Sequence, residues 1–148
     1  MPGRHRWRHR FDGHVTRLTA PREAILEFLN RSSKHMSAKE IYAILQKSYP
    51  NLGLSTVYRT LDLLARMGIV TKLTLADGQS RYEFKSKGKE DHHHHLICTN
   101  CGKIINYSDF LDEELSLVKK TEKRLEKKYN FFIKSHNIEF LGICDKCQ

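Results

Sequence analysis

The chain has 148 residues, with 26 Lys+Arg against 17 Asp+Glu, a formal charge of +9, and 39% hydrophobic residues. That length fits one medium domain or two small ones and excludes a large catalytic fold. No run approaches the roughly eighteen apolar residues of a membrane helix, so no membrane partner is expected.

The charge is uneven. Residues 1–84 hold 14 basic against 7 acidic side chains, a net of +7, whereas residues 85–148 hold 12 against 10, a net of +2. The field that attracts a polyanion therefore belongs to the first half.

Residues 1–17 form a basic N-terminal arm, with Arg4, Arg6, Arg8, Arg10 and Arg17 around Trp7 and a single acid, Asp12. Such a stretch builds no core of its own. It is either an arm that orders against phosphates or a solvated tail. It contains no apolar run resembling a signal peptide, so a cytoplasmic location is expected.

Residues 18–84 read as one domain. Thr19 and Pro21 start a helix, where a cap and a missing N–H are both tolerated. Ile25, Phe28 and Leu29 are its apolar stripe, and it ends near Asn30. Ser37-Ala-Lys-Glu40 is a capping box, flanked by Met36 and Ile41 as a hydrophobic staple. It opens a second helix running to about Ser48, with Ile41, Ile44, Leu45 and Tyr49 facing inward and Pro50 beyond its end.

A third helix is predicted from about Ser55 to Met67, closed by Gly68 in the left-handed conformation. At 100° per residue Val57, Leu61 and Leu64 share one side, and Ser55, Arg59, Asp62 and Arg66 the other, with Tyr58 at the border. Two helices joined by a tight turn, the second with a basic outer face, have the shape of a helix-turn-helix. Ile69 to Leu75 and Arg81 to Phe84, joined through Asp77-Gly78, add a hairpin wing.

Double-stranded DNA is thus the expected partner. Tyr58 and Arg59, with Ser55 and Thr56 on the same helix, are candidates for base-edge or phosphate contact; Arg17, Arg22 and Lys72 are candidates for backbone positioning.

Residues 85–91 are polar, contain Gly88 and read as a hinge. Residues 92–148 follow as an α+β unit. Its first segment, His92-His93-His94-His95-Leu96-Ile97-Cys98, reads as a strand entering a turn at Thr99-Asn100 and Cys101. With a period of two, His93 and His95 point to one face and His92 and His94 to the other, so one strand can serve two metal sites.

Cys98 and Cys101 form one Cys-x-x-Cys pair, and Cys144 and Cys147 a second. Two such pairs enclose a tetrahedral Zn²⁺, and this reading is favoured over disulfides or a redox pair.

Lys103 to Tyr107 is a returning strand. A helix follows, with Asp109 and Asp112 in its first turn and Lys119 to Lys128 in its basic final half, the order the helix dipole favours. Leu111, Leu115, Val118, Leu125 and Tyr129 are its expected buried stripe. Phe131 to Ile143 is strand or strand-turn-strand, interrupted at Ser135-His136-Asn137. These strands exceed what one helix can cover, which points to a homodimer sharing a sheet.

Taken together, His35-Met-Ser-Ala-Lys-Glu-Ile-Tyr42, Ser55-Thr-Val-Tyr-Arg59, the His92–His95 run before Leu-Ile-Cys98, Cys101-Gly-Lys and the Cys144/Cys147 pair resemble the ferric uptake regulator superfamily. The resemblance spans about Thr19 to Cys147. It implies an α/β mixed protein, an N-terminal winged helix-turn-helix plus a C-terminal α+β dimerisation domain. It also implies a homodimeric, metal-responsive repressor of metal uptake or homeostasis genes, not an enzyme.

On the same resemblance Cys98, Cys101, Cys144 and Cys147 hold structural Zn²⁺. His35, Glu83, His93 and His95 hold the regulatory divalent metal, Fe²⁺ first, with Zn²⁺ or Mn²⁺ as alternatives. His92, His94, Glu113 and His136 form an additional site. Several relatives carry a carboxylate where this chain has Asn106. Peroxide-sensing relatives have Asp in place of Glu83, and many zinc sensors place a Cys in the regulatory site, whereas this chain has no Cys outside its two pairs.

Zinc- or peroxide-responsive regulation is the alternative within the superfamily. A metal-dependent hydrolase, which needs an open coordination position beside a substrate cleft, and a zinc-stabilised interaction module are the alternatives outside it.

Overall fold

Pro21 in the first turn and Glu23 near the positive end of the dipole begin α1 (Ala20–Arg31), with Thr19 as N-cap. The Thr19 side chain makes no capping hydrogen bond there, so the start is set by proline and the dipole. The computed structural model describes residues 19–85 and 92–148. Arg17 with its arm, and residues 86–91 of the expected hinge, lie outside the described residues.

The capping box of α2 (Ala38–Leu45) forms in full, the Ser37 side chain accepting from the Glu40 N–H at 3.2 Å and Glu40 accepting from the Ser37 N–H at 2.7 Å. That N–H, helped by the Ser37 hydroxyl and Arg81, holds the Glu40 carboxyl below its ordinary pKa against a smaller opposing effect of burial. Replacing Ser37 by Ala is expected to cost about 0.5–2 kcal/mol of stability, read as a lower urea midpoint at unchanged slope. An unchanged midpoint would show that the cap does not contribute.

Helix α2 stops three residues short of the expected Ser48, and two residues expected in the core, Ile44 and Tyr49, are exposed. Residues 46–48 form turns, in which the Ser48 and Tyr49 N–H groups both donate to the Leu45 carbonyl. The period that buries Ile41 and Leu45 does not extend past that turn.

The third helix, α3 (Leu54–Arg66), buries Val57, Leu61 and Leu64 as the pattern requires, and Thr60 with them. Thr60 is tolerated inside because its hydroxyl donates to the Thr56 carbonyl at 2.7 Å. Gly68 takes φ of 70°, and the chain then turns into the hairpin β1 (Val70–Thr74) and β2 (Ser80–Phe84). In its turn Gly78 has φ of 80° and Asp77 accepts from the Gln79 N–H at 2.9 Å.

Met36 adds an isolated antiparallel bridge to Tyr82, with N–H to carbonyl bonds of 3.0 and 2.8 Å. Ile25, Leu26, Leu29, Ile41, Val57, Leu61, Leu64, Ile69 and Tyr82 form a continuous core. Leu26 joins the predicted stripe, and Phe28 is only partly buried.

The described residues up to Leu73, with Ser80–Lys85, form one compact unit, and Thr74–Gln79 with the residues from His92 onward form a second. In the second, β3 (His94–Cys98) lies between β4 (Ile104–Tyr107), antiparallel, and β5 (Glu139–Gly142), parallel. Strand β3 begins at His94, two residues later than expected, and β5 is a four-residue strand rather than the whole of Phe131 to Ile143.

Helix α4 (Leu111–Tyr129) has three acids in its first turn and Lys127 and Lys128 in its last. Contrary to expectation it buries none of its residues within one chain, and Tyr129 is 63% exposed. A single three-stranded sheet is too narrow to cover it.

Candidate metal centres and nucleic-acid interface

Parallel pairing of β3 with β5 sets Cys98 opposite Gly142, and the Thr99 N–H donates to the Gly142 carbonyl at 2.8 Å. This brings Cys144 to Cys98 from 46 residues away, its N–H donating to the Cys98 sulfur at 3.4 Å. The first cysteine turn is closed by Gly102, at φ of 74°, whose N–H donates to the Cys98 carbonyl.

All four cysteines are unbridged thiols, and their sulfurs lie within 4.8 Å of one another. Cys101 Sγ and Cys144 Sγ are 3.7 Å apart. A tetrahedral zinc with ~2.3 Å bonds needs sulfurs ~3.8 Å apart, so the set fits the ion.

Backbone N–H groups of Cys101 and Cys144 pull the Cys98 thiol down to about 6, which makes it a thiolate near neutral pH. Neighbouring sulfurs, Cys144 first, push Cys147 up to about 12. A cation held among these sulfurs would favour their thiolate forms over the shared S–H protons.

In the first unit the Met36–Tyr82 bridge sets His35 beside Glu83, with His35 Nε2 3.0 Å from the carboxylate. Both side chains are about nine-tenths buried. Arg81, one residue before that bridge, donates to Glu40 at 2.7 Å and ties β2 to the capping box. In the second unit His93 and His95 face each other, ring centroids 5.0 Å apart.

The opposite face of the same segment carries His92 and His94, Nε2 to Nε2 3.1 Å, together with His136. The period-two split of the four histidines is therefore present, although only His94 and His95 lie within the strand.

Glu113 is not brought to this group. It is exposed, and the carboxylate against His94 Nδ1, at 2.5 Å, is that of Glu114. One residue is about 100° of helix, and the motif spacing could not resolve that phase where α4 starts after Phe110, itself at φ of 60°. Glu122, which no motif singled out, lies 2.9 Å from the Nδ1 of His136. The signal was its place two turns along α4 from Glu114. Tyr107 donates to Glu114 at 3.0 Å, and burial first, then Glu114, pushes its hydroxyl up to about 12, so it remains a donor.

On α3, Ser55, Tyr58 and Arg59 are exposed, Thr56 is half-buried, and Arg59 Nε donates to the Ser55 carbonyl at 3.3 Å. Arg22 is half-buried on α1. Lys72 is held by Asp62 of α3 at 3.2 Å and lies 5.9 Å from the Tyr82 ring centroid. The Asp62 hydrogen bond raises its pKa, so Lys72 ties the wing to α3 as well as adding positive charge.

Among the described residues no helix is long and apolar enough to cross a membrane.

A winged helix-turn-helix joined to an α+β unit with thiolate and imidazole clusters defines a metal-responsive DNA-binding transcriptional repressor, a transcription factor and not an enzyme. The chain belongs to the ferric uptake regulator family, whose profile matches residues 14–141.

It is 38% identical over 132 residues to the ferric uptake regulation protein of Bacillus subtilis, covering 88% of this chain and 85% of that one. It is 35% identical to the peroxide-responsive repressor PerR of Staphylococcus aureus, covering 89% and 82%. The solved structure of the Helicobacter pylori ferric uptake regulator Fur, described as revealing three functional metal binding sites, aligns with a TM-score of 0.68 at 29% identity, over 96% of this chain and 89% of that one. The superfamily resemblance and the two-part architecture are thereby borne out, and the hydrolase alternative is set aside.

Proposed function

We propose that this repressor senses a divalent metal, Fe²⁺ in the first place, through His35 and Glu83 of the first unit and His93 and His95 of the second. The observation that carries the reading is the buried His35–Glu83 pair, an imidazole and a carboxylate set side by side by a backbone bridge. Such a nitrogen and oxygen set suits Fe²⁺, Mn²⁺ or Zn²⁺. Glu83, where peroxide sensors of the superfamily have Asp, favours metal over peroxide. Cys98, Cys101, Cys144 and Cys147 hold structural Zn²⁺, and His92, His94 and His136 an additional ion.

Ligands drawn from both units would favour the closed arrangement over the open one, and so shift the population toward the form that fits its operator. Residues 18–84 then act as the DNA-binding domain, 85–91 as hinge and 92–148 as the dimerisation domain, in a cytoplasmic protein that controls metal uptake or homeostasis genes. Homodimerisation is supported by the apolar surface one chain leaves uncovered: Leu117 is 68% exposed, Phe132 77%, and β5 is an open edge with Phe140 and Leu141 exposed.

DNA is read by Tyr58 and Arg59 with Ser55 and Thr56, and positioned by Arg17, Arg22 and Lys72. Arg59→Ala is expected to cost about 1–3 kcal/mol of discrimination between operator and random DNA, with little change in salt slope. Fluorescence anisotropy at two salt concentrations measures both. An equal loss on both DNAs with a shallower slope would instead make Arg59 a phosphate contact. The whole reading is tested by titrating the purified dimer anaerobically with Fe²⁺, Mn²⁺ and Zn²⁺ while following its binding to genomic fragments. Binding that ignores all three metals would overturn it.

A further inference from the structure

The three-histidine group of the second unit is more organised than a set of ligands requires. Each of two rings has a carboxylate on its Nδ1: Glu114 at 2.5 Å from His94, and Glu122 at 2.9 Å from His136. The other nitrogens face inward. His92 Nε2 and His94 Nε2 are 3.1 Å apart, and the ring of His136 lies 5.3 and 5.8 Å, centroid to centroid, from those of His92 and His94.

His136 Nε2 is buried with no hydrogen-bond partner, an orphan that a cation would satisfy. A carboxylate on Nδ1 holds the proton there, leaves the Nε2 lone pair for a metal and makes the ring a stronger donor. Both oxygens of Glu114 are engaged away from the three Nε2 atoms, one by His94 Nδ1 and the other accepting from the Tyr107 hydroxyl at 3.0 Å, and no carboxylate oxygen joins the three imidazoles in the cluster.

We propose that Glu122 and Glu114 are positioning residues that fix the tautomer and tilt of His136 and His94, so that the additional site binds its divalent ion through three imidazole Nε2 atoms and no carboxylate. This rests on the reading of His92, His94 and His136 as a metal site and deepens it. An all-imidazole set is softer and less negative than one containing a carboxylate. It selects borderline ions such as Zn²⁺ or Co²⁺ over Mn²⁺.

The test uses full-length protein with structural zinc retained and the regulatory site disabled by His93→Ala, titrated with Co²⁺ and followed by visible absorption and by competition with a chelator. Glu122→Leu is expected to weaken Co²⁺ about 10–100-fold. Glu122→Gln, whose side-chain oxygen still accepts from Nδ1–H, is expected to recover most of that loss. Band positions stay the same in both, because the ligand set is unchanged.

Zinc content and the unfolding midpoint of each variant separate positioning from a loss of fold. If His136→Ala abolishes Co²⁺ uptake while Glu122→Leu binds within about twofold of its parent, the positioning role is wrong and the site stands. If His136→Ala leaves uptake intact, the site itself is misread. Shifted bands in Glu114→Gln would make Glu114 a ligand and overturn the carboxylate-free set.

Discussion

Cys98→Ser is expected to unfold the second unit and abolish dimers while the first unit keeps a cooperative transition. The two units are held together by different means. In the first, three helices and a hairpin close over a continuous core in which Ile25, Leu26, Leu29, Ile41, Val57 and Leu61 are wholly buried. In the second, the buried apolar side chains among the described residues are Leu75, Ile97 and Cys98, and α4 buries nothing.

So small a core does not offset the conformational entropy of more than fifty ordered residues. Zinc bound by four cysteines contributes on the order of 10–16 kcal/mol in small metal-folded peptides, as much as a whole domain's stability. Circular dichroism in urea, size exclusion and a zinc assay on the same samples report the outcome. A Cys98→Ser dimer with the parent's transition would show that burial between chains, and not the metal, holds this half together.

The second large effect is expected in His93→Ala, which should keep its zinc and its unfolding midpoint yet lose metal-stimulated operator binding. Coupling between an effector and a second site is typically about 1–3 kcal/mol, or roughly 5–150-fold in affinity. Losing one of four ligands should remove most of it. The parent and variant are compared by gel shift across a metal series, and unchanged metal dependence in His93→Ala would sink the regulatory assignment. His35→Ala, whose ring sits in the other unit beside Glu83, should give the same loss if the metal draws on both units.

Much of this was legible in the residues. The capping box at Ser37 and Glu40, the stripe Val57, Leu61, Leu64 and the Asp77-Gly78 turn are local devices, each decided within a few residues, and each formed as expected. The two cysteine pairs were equally plain, because their spacing states a chemistry independently of the fold.

What failed depended on distance or phase. Ile44 and Tyr49 look like core by period, but Ile44 sits on the open side of the helix's last turn and Tyr49 lies beyond its end at Leu45. Leu125 and Tyr129 look buried because a stripe cannot say whether its cover lies in the same chain. Glu114 in place of Glu113 is a single step of helix phase, and Glu122 is recognisable only once His136 has been folded against it. A pairing between a helix and an irregular segment has no repeat to announce it.

The parallel partnership of β3 and β5 also bears on how the protein is made. Cys98 and Cys101 leave the ribosome with their strand well before Cys144 and Cys147 exist, so no nascent chain shorter than Cys147 can close the thiolate cage. Until then the half-built cage is a two-thiol turn on the β3–β4 hairpin, whose other edge waits for β5, and the winged helix, complete by Lys85, has already had time to fold. The fold of the DNA-binding half therefore precedes that of the metal-holding half in each molecule's history.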